Sequence, residues 1–341
     1  MEVNTLQFAW FFLIGLIFAI YAILDGFDLG VGLWFIFTKS EEERTLLKSS
    51  VGPVWDGNEV WLIAGGGSLL AAFPLAYGTL FSSLYLAVML LLWAIILRAI
   101  SFEFRDQMVS KLWKKVWDGI FFVASFLITL LLGVALGNVL NGLILDANYN
   151  YSGTFFDLLN PFAVLIGLLV VVTIMTHGAS YLVARIDTDL QERAKIWFNY
   201  SWIVMIVLFV LVNLVMIVFH GQLLANFNEN IIFWIFPVLT LVGMGLMKYF
   251  NQKEQYFFSF ISSALTIFSL ILLVGIAIYP NLIPAVTQAN SVSIALAANS
   301  DLTLSILLVV AGIGVPIILI YTFWFYKVFI LKKISKSVQH Y

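Results

Sequence analysis

The sequence predicts an all-α integral membrane protein of nine transmembrane helices, and three observations carry that expectation. The first is composition: of 341 residues, 62% are hydrophobic and 11% charged, with a mean hydropathy of +1.03. A soluble core cannot hide that much apolar surface, so lipid is the solvent for most of the chain. The second is length. Apolar runs of about 20 residues, enough to cross the hydrocarbon layer, recur at nine places: roughly 8–38, 52–73, 79–100, 116–145, 160–184, 196–220, 231–250, 257–280 and 303–331. The third is charge placement. All 17 Lys and Arg follow spans 1, 3, 5 and 7 or close the C-terminus, from Lys39, Arg44 and Lys48 to Lys327, Lys332, Lys333 and Lys336. Positively charged connections stay in the cytoplasm, which puts the N-terminus outside and the C-terminus in the cytoplasm.

Taken in order, Met1 to about Phe12 reads as a short outer tail entering span 1, without the basic start and small-residue cleavage site of a signal peptide. Pro53, Pro161 and Pro280 fall near span ends, where a missing N–H does little harm. Odd-numbered spans all start outside, so spans 1–4 and 5–8 share an orientation and predict two parallel four-helix bundles. These occupy 1–150 and 151–282; a third unit, 283–341, holds an outer loop, the ninth span and the tail. The stretch 281–302, small and polar, reads as a capping loop.

Polar residues inside the apolar runs are the informative ones. In "ILDGFDLGVGLW" (23–34), Asp25 and Asp28 are three apart and share a helix face. At ~1.5 Å per residue, Asp25 lies past mid-membrane, toward the cytoplasmic side. An ionised group there costs ~3 kcal/mol, which favours a functional role. Gly26 and Gly30 form a small-xxx-small pair suited to close helix approach, so packing glue is the competing account. In "GPVWDGNEVWLI" (52–63), Asp56 and Glu59 repeat the spacing at the start of span 2. A helix N-terminus favours acidic side chains anyway, yet Asn58 and the depth of Asp25 tilt the balance toward a shared polar path. For Arg98, Glu103, Arg105 and Asp106 in "LRAISFEFRD", with Asp118 at the start of span 4, a solvated or ion-paired interfacial rim is the plain reading, and it is preferred for Arg105 and Asp106.

Histidine and cysteine limit the chemistry. The histidines are His177, His220 and His340, and there is no cysteine, hence no disulfide, iron–sulfur cluster or thiolate ligand. His177 lies toward the cytoplasmic side and His220 at the outer face, so the two cannot share one b-type haem. His177 reads as a packed or polar-network residue. No phosphate-binding loop, zinc spacing or Ser/His/Asp arrangement is visible, so a redox metal would belong to another chain.

The motifs "DGFDLGVG", "GPVWDGNEVWLI", "LGNVLNG", "LLNPF", "ANSVSIALAANSDLTL" and "VPIILIYTFWFYKVF", in this order over nearly the whole chain, resemble subunit II of the cytochrome bd-type quinol oxidases. The resemblance implies a complex in the cytoplasmic membrane of a prokaryote that oxidises quinol and reduces O₂ to water. Haem b and haem d are then carried by the partner, subunit I, and none by this chain. It also implies a water-filled cytoplasmic path through subunit II whose acidic residues match Asp25 and Asp56, with Asp28 and Glu59 in the same motifs. Some members hold a structural quinone in subunit II or add small single-helix subunits; the residues leave both open. Some have Gln where this chain has His177, which is therefore given no essential role. Lipid is the other partner, and nucleic acid is not expected. O₂ reduction consumes protons, and a carboxyl in a semi-dry interior exchanges them nearer neutral pH than an exposed one. The main alternative is an ion-coupled secondary transporter with Asp25 and Asp28 as its site, although no span is interrupted at corresponding places in both halves. A structural scaffold for a redox partner is the third reading.

Overall fold

The computed structural model describes residues 2–329 and 333–334. Lys332, Lys336 and His340 of the expected tail lie outside the described residues. Thirteen helices are described: α1 (Thr5–Trp34), α2 (Glu41–Val51), α3 (Trp55–Ala72), α4 (Pro74–Ser83), α5 (Tyr85–Phe104), α6 (Lys111–Asn141), α7 (Pro161–Arg185), α8 (Asp189–Phe219), α9 (Ala225–Glu229), α10 (Ile235–Gln252), α11 (Tyr256–Ile278), α12 (Ile294–Ala297) and α13 (Asp301–Phe329).

Eight helices among the described residues are long and apolar enough to cross a membrane, and they coincide with eight of the nine expected spans. The expected second span forms as α3 but is not one of the eight, because Asp56, Asn58, Glu59 and Gly65 to Gly67 dilute its apolar content. Two boundaries also move. The first helix starts at Thr5 and leaves no extended outer tail up to Phe12. Asn4 and Gln7 form a reciprocal cap there, each side chain accepting from the other's backbone N–H. Residues 41–51, expected as a loop, form α2, with the Ser40 side chain accepting from the Glu43 N–H and three glutamates in its first turn, where the helix dipole favours them.

Contacts between connections define two ends. At one, Arg105 bonds Glu41, Asp106 and Asp118, Lys114 bonds Glu41, Lys48 bonds Asp106, and Arg193 bonds Glu43. The basic connections after spans 1, 3 and 5 therefore meet at one basic end. At the other end, Asn4 bonds Asp301 and Trp10 donates to the Leu304 carbonyl. The expected capping loop there contains a hairpin, β1 (Asn281–Ile283) antiparallel to β2 (Val292–Ser293). It is tied to the α6–α7 connection through Leu143 N–H to Pro284 O and Asn290 to Leu145 O.

The packing centre is the α1–α7 pair. α1 also touches α3, α6 and α11, and α7 also touches α6, α8 and α11. The sequence makes this close: a Cβ at Gly30 would lie 2.7 Å from the Gly178 Cα, and one at Gly133 would lie 2.8 Å from the Gly167 Cα. Backbone meets backbone there, as small residues allow in lipid. Phe27 stacks on Tyr181 at 4.3 Å beside this contact. Helix α13, which contains Pro316, is mostly exposed along its length.

Candidate functional site

The close α1–α7 packing presents one face of α1 to α3 and α5, and there its carboxylates find partners. Asp25 and Arg98 are 1% and 2% exposed. Arg98 Nη1 donates to Asp25 Oδ1 at 2.9 Å and to Glu59 Oε1 at 2.7 Å, so one guanidinium nitrogen joins α1, α3 and α5. Glu59 keeps a side-chain exposure of 20% and forms the outer edge of the cluster.

Asp28, fully buried, lies one turn along α1 and is held differently. Asn58 Nδ2 donates to Asp28 Oδ2 at 2.6 Å and to the Leu24 carbonyl, while the Tyr326 hydroxyl donates to Asn58 Oδ1 at 2.8 Å. This sequence of bonds fixes the Asn58 amide orientation, since only its nitrogen can donate, and ties α13 to the core. Asp25 Oδ2, Asp28 Oδ1 and Arg98 Nε are buried with no hydrogen-bond partner among the described residues.

Of the four acidic residues singled out from the sequence, the structure thus brings together Asp25, Asp28 and Glu59. Asp56 stands apart: it is exposed at the start of α3, and no hydrogen bond or ion pair reaches it among the described residues. Arg98, for which the sequence alone favours no role, is the hub of the buried cluster, and an arginine inside the apolar run of α5 is itself the signal, since an intramembrane cation needs an anionic partner. Arg105, Asp106 and Asp118 do form an ion-paired rim at the basic end, where α2 supplies the unforeseen Glu41. The Arg105 hydrogen bond, with Lys114 beside it, holds the Glu41 carboxyl down at about 2.

His177 is fully buried, with Nε2 2.9 Å from the Ile23 carbonyl and Nδ1 2.6 Å from Ser263 Oγ. A carbonyl only accepts, so Nε2 carries a proton and Nδ1 faces the hydroxyl. Neither nitrogen is left for a haem iron. His220 stacks on Phe162 at 4.0 Å. Among the described residues, no group of three or more His, Asp or Glu is placed to hold a metal ion.

The model of the family described as cytochrome bd terminal oxidase subunit II matches residues 6–329. The chain belongs to that family. It is therefore a bd-type oxidase subunit, and its spanning helices make it a multi-pass membrane protein. It is 34% identical to cytochrome bd-I ubiquinol oxidase subunit 2 of Escherichia coli K12, over 95% of this chain and 94% of that one. A probable cytochrome oxidase subunit 2 of Haemophilus influenzae is also 34% identical, over 96% and 94%. Cytochrome bd ubiquinol oxidase subunit 2 of Bacillus subtilis is 29% identical over 98% of each chain. A chain in the structure of the bd oxidase from Geobacillus thermodenitrificans is similar in fold. The TM-score is 0.81 at 14% identity, with 97% of this chain and all of that chain covered.

Proposed function

We propose that this chain is the haem-free subunit II of a quinol-oxidising, O₂-reducing cytochrome bd-type complex in the cytoplasmic membrane of a prokaryote. In this reading it stabilises subunit I and provides part of the proton path from the cytoplasm. Family membership favours it over an ion-coupled transporter. The basic end faces the cytoplasm, as the positive-inside rule requires, and the chain divides into four-helix bundles at 1–150 and 151–282 with 283–341 appended. The haems b and d of subunit I supply the redox chemistry, quinol is the complex's substrate, and no quinone is assigned to this chain.

The observation that carries the proton-path reading is the convergence of Asp25 and Glu59 on the buried Arg98, with Asp28 one turn away. Two carboxyls bond one guanidinium, and a third, held by Asn58, lies nearby. With every carboxyl ionised, a low-dielectric interior would hold uncompensated negative charge at high cost, so the cluster is built to take up and release protons. Arg98 stays charged throughout and keeps the carboxyls oriented. Asp56, exposed at the start of α3, and the exposed edge of Glu59 lie on the side of the cluster toward the basic end, where protons enter; from the cluster the path leads toward subunit I. The test is Asp25→Asn in the assembled complex. Asn keeps a hydrogen bond to Arg98 but carries no exchangeable proton. Haem content should stay normal while steady-state O₂ consumption falls by about tenfold, less than the ~10²–10⁴ of a relay with no bypass. Wild-type turnover across neutral and alkaline pH would refute the role.

A further inference from the structure

Arg98 on α5 and Arg105, the residue that caps its C-terminus, lie seven residues apart, the first in the buried cluster and the second in the ion network at the basic end. A tight crevice runs between them. Its outer part is lined by Lys48, Ser101, Arg105 and Trp117 and has room for about one water. Its inner part is lined by Val51, Trp55 and Arg98 and has no room for a water. The two parts share Phe102 and Phe121. Arg98 Nε, buried and without a partner among the described residues, belongs to the side chain at the inner end.

Phe102 stands between the two ionic clusters. Lys48 Nζ sits 4.8 Å from its ring centroid on the outer side, and Trp55 and Phe121 pack on it at 5.4 and 6.0 Å. Beyond it, one turn back along α5, is Arg98. With the ring where it lies, no room for a water remains behind it, so a continuous water file to Arg98 forms only when the ring swings aside. The lysine cation on the ring face favours the blocking position.

We propose that Phe102 gates a water inlet from the basic end to the Asp25–Arg98–Glu59 cluster, on α5 and distinct from the α3 face that carries Asp56. The proposal rests on the proton-path reading only for its consequence; the inlet itself can be tested without it. Because the chain has no cysteine, Val51→Cys places a single thiol in the inner part of the crevice, behind Phe102. The assembled complex in inside-out vesicles is treated with a small charged methanethiosulfonate, and labelling of this chain is followed by mass. Phe102→Ala should speed labelling of Val51→Cys by about tenfold, and Phe102→Leu should do so by less, while Phe102→Trp slows it. Ser263→Cys, buried away from the crevice, should stay slow in every background. Labelling of Val51→Cys that ignores residue 102, or that stays slow in Phe102→Ala while Gly57→Cys on the α3 face reacts fast, would overturn the gate. If labelling follows residue 102 but Asp25→Asn turns over normally, the inlet stands and the relay fails; the reverse pattern removes the gate and keeps the relay.

Discussion

Arg98→Met removes the only guanidinium in the buried cluster and replaces it with an apolar side chain of comparable length. Breaking a buried ion pair by deleting one partner costs ~3–5 kcal/mol, because the remaining charge stays buried and unpaired. Asp25, at 1% exposure, should contribute in full. Glu59, at 20%, turns partly toward solvent and is screened like a surface pair worth at most ~1 kcal/mol. The expected loss is therefore about 3–6 kcal/mol, most of it from Asp25. The assay is unfolding of the purified complex in mixed micelles of increasing denaturing-detergent content, followed through this chain. Adding Asp25→Asn to Arg98→Met should recover most of the loss, and adding Glu59→Gln alone should recover little. A cost below ~1 kcal/mol, within the range of an exposed pair, or no recovery with Asp25→Asn, would show that Arg98 is not the charge that holds the cluster.

Three further outcomes are expected. Gly30→Ala would set a methyl carbon against the Gly178 backbone and should destabilise the complex by ~1–3 kcal/mol; Gly15→Ala, with open space around it, should have no effect, and equal effects would contradict the close packing of α1 on α7. Glu41, lowered from 4.5 to about 2 by Arg105, contributes stability that is present above its ordinary value and lost as pH falls toward 2. Glu41→Gln should therefore flatten the acid limb of the unfolding-midpoint profile, and parallel profiles for mutant and wild type would count against the ion network. Reporter fusions after residues 45, 110 and 190 should read as cytoplasmic and fusions near 150 and 290 as external, and one reversed site would require another orientation.

How much of this was legible in the sequence follows from what each signal depends on. The long apolar runs place eight helices, because length and hydropathy are local properties. Helix α3 is the informative exception: Asp56, Asn58, Glu59 and three glycines make it a helix that needs protein on its faces. Asp25, Asp28 and Glu59 stood out because carboxylates in lipid are costly. Arg98, the partner of Asp25 and Glu59, did not, because whether it turns inward or snorkels outward depends on the packing of α5 against α1 and α3. Asp56 was grouped with Glu59 by spacing, but the two face different surroundings. The acidic start of α2, with Ser40 three residues before Glu43, is a local capping signal that the sequence carries, whereas its ion pairs with Arg105, Asp106 and α6 are long-range and not legible there.

The central claim is that this chain's buried carboxyls pass protons from the basic end toward the partner. It is tested most directly by single-turnover proton uptake. The fully reduced complex, oriented in vesicles with a pH-indicating dye on the basic side, is mixed rapidly with O₂, and dye and haem signals are followed together. In Asp25→Asn, the account predicts a proton-uptake phase slowed by about tenfold, while the earlier haem-oxidation phases keep their wild-type rates. Uptake from the basic side at the wild-type rate in that variant would contradict it.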